Sequence, residues 1–283
     1  MKKKFLFLFV LLLFSCEDSE NYLENQLNKK YNITIVYIDE KSIDSIGGVD
    51  NLDRSYYSKI IEELETNNPE YIVLKFILDT DKEKDEALIN TLAQHNNIIL
   101  EAAHMAELNN IVDAFNSLQI DDIDYFVDYE TGLGPNRKFL ANSPAIGYAN
   151  MLIDGNDFIG MNMVVRIKNA VYPSLALKVL QLASRENYKI ENESININGI
   201  EKHLDPEGTS PMGITDSNFY QSYSALDLLS KKYDSDDMTD SIVIIAFMEE
   251  KNQLIKFQEI EKTRAELVAD SINTLLIDYY GKN

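Results

Sequence analysis

Residues Tyr31–Ser42 read YNITIVYIDEKS, an apolar and β-branched run that stops abruptly at Asp39 and Glu40. The pattern predicts a β-strand at Ile33–Ile38, because β-branched residues fit a pleated surface and polar residues mark its end. Similar runs recur along the chain: Tyr71–Leu78 (YIVLKFIL), the stretch around Ile98–Leu100 and Ser241–Phe247 (SIVIIAF). Such near-continuous apolar strands are typical of parallel sheets that are covered on both faces.

Helical patterns separate these strands. Arg54–Glu65 places its apolar residues on one helical face, and the Asn-Asn-Pro sequence at 67–69 ends it. Further helices are predicted at Asp85–Gln94 and at Leu108–Leu118. Strands that alternate with helices imply right-handed crossovers and an α/β core.

The second half of the chain adds a hairpin and two more helices. Gly147–Ile153 and Met161–Ile167 are predicted to pair as a β-hairpin around Asp154–Gly155, a strong turn signal. The stretch YPSLALKVLQLA from Tyr172 predicts a buried helix, and Arg264–Ile277 predicts a final amphipathic one. The sequence therefore predicts a single α/β domain whose central, mostly parallel mixed sheet is flanked by helices, with a β-hairpin insertion in the middle.

Composition narrows the possible partners. The chain has 283 residues, of which 45% are hydrophobic, and its 26 basic and 47 acidic side chains give a formal charge of −21. A charge of this sign repels phosphate backbones, so we expect no nucleic-acid partner. A solvated acidic surface is the favoured interpretation of the charge, and attraction of cationic partners is the alternative.

The first sixteen residues resemble the export signal of a bacterial lipoprotein. Three lysines at positions 2–4 precede an apolar core of ten residues, FLFLFVLLLF, which is too short to span a bilayer comfortably. The core ends in LFSC, which is similar to a lipobox, and Cys16 is the only cysteine. The resemblance implies cleavage after Ser15 and lipid attachment to Cys16. The alternative is a plain signal peptide or a short anchor helix.

These features divide the chain into three parts. Residues 1–15 are predicted to be a signal peptide, 16–30 a lipidated N-terminus with a polar tether, and 31–280 an extracytoplasmic domain. The acids that follow Cys16 resemble surface-export signals of some Gram-negative lipoproteins. We therefore expect a lipid-anchored protein of the cell envelope, with the outer membrane or the cell surface among its destinations.

Motifs of familiar catalytic chemistry do not occur in the sequence. It contains no G-x-S-x-G elbow, no Walker-type glycine loop and no H-E-x-x-H motif. His104 and Glu107 are spaced to share a helix face, but two ligands are too few for a metal site. The acidic stretches Asp79–Glu86 and Asp121–Asp124 lack the ligand spacing of an EF-hand loop, so solvated loops are favoured. We therefore predict no catalytic residue, no metal and no cofactor, and a protein that is not an enzyme.

Three residues are candidate ligand contacts. Asp39 and Ser42 follow the first strand, at the carboxyl edge of the sheet, where open α/β folds bind ligands. Their alternative and favoured role is to cap a following helix, since both side chains accept hydrogen bonds from free backbone N–H groups. Arg54 is predicted either to contact an anionic ligand or, as the favoured alternative, to pair with a buried acid.

Several motifs follow one another in a distinctive order. They are Ile38, Asp39 and Ser42 in an I-D-x-x-S-like segment, DRSYYSKIIEEL from Asp53, GYANMLIDGNDFIG from Gly147, YSALDLL from Tyr223, SIVIIAF from Ser241 and RAELVADSINTLL from Arg264. In this order, over about Ile33–Leu276, the chain resembles the second class of CHASE domains, which are cyclase- and histidine-kinase-associated sensory extracellular modules. The resemblance implies an extracytoplasmic sensory domain.

Two features depart from that family. Lys75 stands where its members usually have an aspartate, and the chain stops at Asn283 where members usually continue into transmembrane helices and a cytoplasmic cyclase or kinase. We therefore expect a lipid-anchored sensory or ligand-binding domain without its own output module, whose signal a separate membrane signalling protein would relay. The alternative is an envelope lipoprotein that docks another protein through an acidic surface.

Overall fold

A computed structural model describes residues 32–281, with gaps at 105–117, 130–131, 141–144, 155–156, 169, 212, 215–218, 250–252 and 258–259. The predicted signal peptide, Cys16 and the tether lie before the described residues. All three candidate ligand contacts, Asp39, Ser42 and Arg54, are described. The predicted helix Leu108–Leu118 and the His104–Glu107 pair fall largely in the gap at 105–117 and are outside the described residues.

The strands, in chain order, are β1 (Ile33–Ile38), β2 (Tyr71–Lys75), β3 (Ile98–His104), β4 (Gln119–Ile120), β5 (Asp128–Tyr129), β6 (Gly132–Leu133), β7 (Ala145–Tyr148), β8 (Met151–Asp154), β9 (Asp157–Asn162), β10 (Val164–Ile167), β11 (Ala170–Pro173), β12 (Lys189–Glu191), β13 (Ser194–Ile197), β14 (Ile200–His203), β15 (Thr209–Ser210), β16 (Gln221–Ser224), β17 (Ile242–Phe247), β18 (Ile255–Phe257) and β19 (Ile260–Lys262). The α-helices are α1 (Glu40–Ser45), α2 (Arg54–Glu65), α3 (Asp85–Gln94), α4 (Arg137–Leu140), α5 (Leu175–Ser184), α6 (Ala225–Leu229) and α7 (Arg264–Tyr280).

The central sheet is parallel over most of its width. Its strands lie in the order β16, β1, β17, β2, β3 and β7, and each neighbouring pair runs parallel. Strand β6 adds a short antiparallel pairing to the end of β3. This architecture confirms the predicted α/β fold with a central, mostly parallel mixed sheet.

Helices cover both faces of this sheet, which explains why β1 is apolar along its whole length. Val36 and Ile38 pack with α2, α3 and α6 in one cluster of buried residues. Ile33, Ile35 and Tyr37 point to the opposite face and pack with α5 and α7 in a second cluster. Because successive strand residues alternate between faces, a strand buried on both faces must be apolar at every position.

Three smaller sheets lie beside the central one, in the orders β11-β10-β5, β14-β13-β12-β4 and β15-β9-β18-β19, with β8 paired to β9. The predicted hairpin around Asp154–Gly155 is present, but its arms are β8 and β9. The predicted arms, Gly147–Ile153 and Met161–Ile167, were wrong at their outer ends, which belong to other strands. Gly147 belongs to β7 of the central sheet, and Val164–Ile167 pairs instead with β11.

Close packing explains this difference. A Cβ atom added to Gly147 would lie 2.5 Å from the Cα of Leu175, the first residue of α5. The missing side chain allows β7 to run directly under the start of that helix, which draws the segment into the central sheet. A long-range contact of this kind leaves no periodic trace in the local sequence.

The predicted helices α2 and α3 have the bounds that the sequence indicated, and α7 extends the predicted Arg264–Ile277 to Tyr280. The buried helix predicted from Tyr172 begins at Leu175, after Ser174 caps it. The predicted strand Tyr71–Leu78 ends at Lys75. Within the described part of the chain, no helix combines the length and the apolar character that crossing a membrane requires.

Helices α5 and α7 cover the same face of the central sheet, and α7 runs from its carboxyl edge to its amino edge. At the carboxyl edge, the Tyr37 hydroxyl lies 2.9 Å from the Thr263 hydroxyl, which caps α7. At the amino edge, the electrostatic environment of Tyr71 includes Arg185 and Tyr280, which end α5 and α7. Helix α7 therefore connects the two edges of the sheet.

Candidate functional site

The carboxyl edge of the central sheet is the candidate functional site, because open α/β folds bind ligands where parallel strands end. Strand register fixes which residues meet there. Ile38 of β1 lies opposite Phe247 of β17, and Lys75 of β2 lies opposite Ala246 of β17. Asp39, Phe247 and Lys75 thus mark the ends of three neighbouring strands.

Asp39 leaves β1 in an extended conformation and caps α1. Its Oδ1 accepts hydrogen bonds from the Ser42 backbone N–H at 2.9 Å, the Ser42 hydroxyl at 2.6 Å and the Ser224 hydroxyl at 2.8 Å. Partial burial alone would raise the pKa of the Asp39 carboxyl, but the donors on Ser42 and Ser224 outweigh it and hold the pKa below its ordinary value. The favoured capping role is therefore confirmed.

Ser42 is fully buried and joins two helices. Besides donating to Asp39, its hydroxyl accepts a hydrogen bond of 3.2 Å from the backbone N–H of Leu226, in the first turn of α6. Ser224 caps the same helix from the end of β16. The Asp39–Ser42–Ser224 cluster therefore ties α1 and α6 to the ends of two adjacent strands.

Arg54 takes part in a different cluster. It is 3% exposed; its Nε donates to Asp85 Oδ1 at 3.2 Å and its Nη2 donates to the Thr80 carbonyl at 2.9 Å. Its guanidinium group also lies 5.5 Å from the ring centres of Tyr57 and of Phe139. The favoured prediction, pairing with a buried acid, is therefore confirmed, and the ligand contact stays a prediction.

Asp85 is the centre of the Arg54 cluster. Its Oδ2 accepts from the Lys138 ammonium at 2.6 Å and from the Lys82 backbone N–H at 2.9 Å. Burial would raise the pKa of the Asp85 carboxyl, but these donors and the charges of Lys138 and Arg54 lower it. The structure thus brings Asp39 and Ser42 together and gives Arg54 separate partners.

Sequence reasoning did not identify a second charged pair at the same edge. Lys75 ends β2 and Glu101 lies within the adjacent strand β3. Their charged atoms are 2.7 Å apart, and their side chains are 10% and 8% exposed. Burial raises the pKa of the Glu101 carboxyl, although the Lys75 charge opposes the shift. The signal available in the sequence was a lysine inside an apolar strand, since such a residue needs a charged partner.

Aromatic residues form another part of the edge that sequence reasoning missed. The ring of Phe76 lies 4.8 Å from that of Tyr57 and 5.5 Å from that of Phe247, measured between centroids. Phe247 is 36% exposed and Met248, which follows it, is 49% exposed. The central strand β17 therefore ends in an apolar surface, which we call the β17 surface and define as Phe76, Phe247 and Met248.

The remaining sequence candidates lie elsewhere. His95 is 3.3 Å from Glu65, and His203 is exposed on β14. Across the described ranges, no group of three or more histidine, cysteine or acidic side chains is placed to hold a metal ion. An open polar groove of about 410 Å³ runs along β12 and β13, and its lining includes Glu186, Glu191 and Glu201.

Comparison with known proteins agrees with the fold and the motif order. Residues 5–278 match the CHASE2 domain family. The chain therefore belongs to the CHASE2 family, whose members are extracellular sensory domains. Neither the curated proteins nor the solved structures gave a match.

Proposed function

We propose that this protein is a lipid-anchored extracytoplasmic sensory domain that binds a ligand at the carboxyl edge of its central sheet and relays the signal to a separate membrane signalling protein. The observation that carries the proposal is the match of residues 5–278 to a family of extracellular sensory domains. The N-terminal sequence supports the anchor, because an apolar core of ten residues leads directly to LFSC and Cys16.

The arrangement of the chain ends supports an orientation. Asn32, where the tether joins the domain, accepts a hydrogen bond from Ile242 at the amino edge of the sheet, and α7 ends at that edge. A lipid on Cys16 would hold the amino edge toward the bilayer and leave the carboxyl edge facing away. The seventeen residues from Cys16 to Asn32 extend at most about 60 Å.

Helix α7 is the element that we propose for the relay. It begins at the carboxyl edge, where Thr263 contacts Tyr37 and Arg264 pairs with Glu249 at 2.6 Å. It ends at the amino edge, which would lie near the membrane. A lipid anchor does not cross the bilayer, so a movement of this helix would have to be read by a partner protein.

A binding role fits the site better than catalysis. The Ser42 hydroxyl donates to Asp39 and accepts from the Leu226 N–H, and Ser42 is fully buried, so this hydroxyl is not open to a substrate as a nucleophile. Arg54 and Asp85 are committed to a buried ion pair. We therefore propose a non-enzymatic function.

The anchor is tested by labelling with palmitate and by membrane fractionation of the full chain and its Cys16→Ala variant. We expect the label and the membrane association to disappear in the variant, because Cys16 is the only cysteine. Unchanged processing and membrane association of Cys16→Ala would contradict lipid attachment. Ligand binding is tested by thermal shift against metabolites and metals, since a ligand that binds only the folded state raises its stability.

A second candidate function is docking of an envelope protein through an acidic surface. Asp234, Asp236 and Asp240 are exposed in the loop that precedes β17, at the edge that the tether would hold toward the membrane. If this loop docks a cationic partner, replacing the three aspartates with asparagine would abolish crosslinking to that partner in cells. Salt would weaken the same complex, because exposed charges are screened.

A further inference from the structure

The groove of about 410 Å³ along β12 and β13 lies on the outer face of its small sheet. On β12, Lys189 and Glu191 alternate with a buried isoleucine. On β13, Ser194 and Asn196 alternate with two buried isoleucines, so their side chains point to the same outer face. Glu201 of β14 lies opposite Asn196 and extends this face. Every described residue that lines the groove carries a polar side chain.

Ser194 brings to the groove a polar group that the fold does not use. The residue is only 6% exposed, and it lines the groove. Its backbone pairs with Glu191 and His203 on the two neighbouring strands, but its hydroxyl has no hydrogen-bond partner among the described residues. A hydroxyl that is largely removed from water normally has a partner, because an unpaired one costs free energy. A ligand in the groove would supply that partner.

The charge of the lining is negative. Glu186, Glu191 and Glu201 contribute three carboxylates and Lys189 one ammonium group, which leaves two net negative charges. Lys202 of β14 does not compensate them, because it faces the inner side of the sheet and pairs there with an aspartate at 2.6 Å. A cleft lined mainly by one sign of charge concentrates ions of the opposite sign. The groove therefore selects a cationic ligand.

The carboxylates of the groove do not converge on a single point. Among the side chains that the structure describes, no group of three or more acids, histidines or cysteines is placed to hold a metal ion. Glu191 lies opposite Ser194 and Glu201 opposite Asn196, so one intervening strand and two residues separate the glutamates. This register places their Cα atoms about 12 Å apart. An elongated ligand with several positive charges fits this spacing better than a compact ion.

We propose that the groove binds a linear polyamine, a flexible chain that carries two or more ammonium groups. The ammonium groups would donate charge-assisted hydrogen bonds to the carboxylates of Glu191 and Glu201, and the Ser194 hydroxyl would accept a further hydrogen bond. This site lies apart from the carboxyl edge of the central sheet and goes beyond the proposed function. Failure of polyamine binding would therefore leave the proposed sensory function standing.

The test measures binding by isothermal titration calorimetry, with the full-length protein in micelles of a non-ionic detergent at constant ionic strength. The probes are spermidine, 1,5-diaminopentane, pentylamine and 1,5-pentanediol, which differ in the number of ammonium groups. We expect the affinity to fall in that order and the diol not to bind, because each lost ammonium group removes charge-assisted hydrogen bonds. Magnesium chloride should bind much more weakly than diaminopentane, although both cations carry two charges.

Four substitutions locate the site and test the sign of its charge. Glu191→Gln and Glu201→Gln should each weaken spermidine binding by about threefold, the usual effect of one exposed ion pair. Ser194→Ala should also weaken binding, because it removes an acceptor. Lys189→Gln should strengthen binding by about threefold, because Lys189 is the one basic residue among the described residues of the lining.

Glu261→Gln is the matched control for the loss of a negative charge. Glu261 is likewise an exposed glutamate on a short strand of a small sheet, but it belongs to β19 and does not line the groove. The substitution removes the same charge from the chain, so spermidine binding should not change. Circular dichroism of each variant separates lost binding from lost folding.

Several results would overturn the proposal. Equal affinities for diaminopentane and magnesium would indicate a diffuse effect of charge. Equal affinities of the wild type and the Glu191→Gln, Glu201→Gln double variant for spermidine would place the ligand elsewhere. A blocked trilysine amide carries the same charge as spermidine, and tighter binding of this peptide would reassign the groove to a basic segment of another protein.

Discussion

The Lys75 ammonium lies 2.7 Å from the Glu101 carboxylate, and both side chains are about nine-tenths buried at the carboxyl edge of the central sheet. Neither charge is tolerable there without the other, because desolvation of a lone charge costs several kcal/mol. The charge of this lysine, which ends an apolar strand, is thus compensated within the chain. Glu101, on the next strand, supplies the negative charge.

Removal of one partner should destabilise the fold more than removal of both. We expect Lys75→Met to lower the free energy of unfolding by about 3–5 kcal/mol, since it leaves Glu101 buried and unpaired. The double variant Lys75→Met with Glu101→Leu should be more stable than either single variant. Urea unfolding of the wild type, Lys75→Met, Glu101→Leu and the double variant gives the coupling free energy between the two side chains. Additive losses in the double variant would show that the two side chains act independently.

Gly147 provides a test of the close packing between β7 and α5. A Cβ atom at this position would meet backbone atoms of Leu175 at 2.5 Å and 2.8 Å, and backbone cannot move aside as a flexible side chain can. We expect Gly147→Ala to cost about 1–3 kcal/mol of stability, as overpacking commonly does. The measurement is the urea midpoint at constant m-value.

Gly213→Ala is the control for the loss of a glycine. The nearest atom to its added Cβ is the Thr274 hydroxyl oxygen at 3.2 Å, which belongs to a side chain. Gly213→Ala should therefore lower the free energy of unfolding much less than Gly147→Ala does. Equal stability of the two variants would mean that β7 and α5 do not approach as closely as described.

Local patterns predicted the elements well, whereas contacts between distant segments left little trace in the sequence. Helix α2 has the predicted bounds because its apolar period and its Asn-Pro stop are local signals. The Asp39 cap spans only three residues and was also foreseen. By contrast, Arg54 meets Asp85 across 31 positions, and Lys75 meets Glu101 across 26. Pairings of this kind follow from strand order, and the insertion of β17 between β1 and β2 is not readable from either strand alone.

Arg54 should prove to be a structural residue. Its guanidinium group bonds both Asp85 and the Thr80 carbonyl and lies over two aromatic rings, an arrangement that a lysine cannot reproduce. We expect Arg54→Lys to cost about 1–2 kcal/mol and Arg54→Ala about 3 kcal/mol in urea unfolding, because Asp85 keeps Lys138 as a partner.

Arg264→Ala is the matched control for Arg54. Arg264 also pairs with a carboxylate, that of Glu249, but its side chain is 44% exposed. An exposed ion pair contributes about 1 kcal/mol or less. A stability loss at Arg264 that equals the loss at Arg54 would contradict the distinction, as would an Arg54→Ala protein that keeps its stability.

The Asp39 cap should give the fold a defined pH dependence. The folded-state pKa of Asp39 lies below its ordinary value of 3.8, so its stabilising contribution is present above that pH and is lost as the pH falls through the folded pKa. Asp39→Asn keeps a capping oxygen and cannot titrate. We expect the wild type to be more stable than Asp39→Asn by about 1 kcal/mol at neutral pH, since charged acceptors form stronger hydrogen bonds. The other carboxylates are common to both proteins, so the difference in urea midpoint between pH 7 and pH 3 isolates Asp39. The difference should shrink steadily below pH 3.8.

Asp44→Asn, an exposed change on the same helix, controls for the loss of one negative charge. A stability difference that is constant over this range, or that grows toward low pH, would mean that the Ser42 and Ser224 hydroxyls do not hold the Asp39 carboxylate in its charged form.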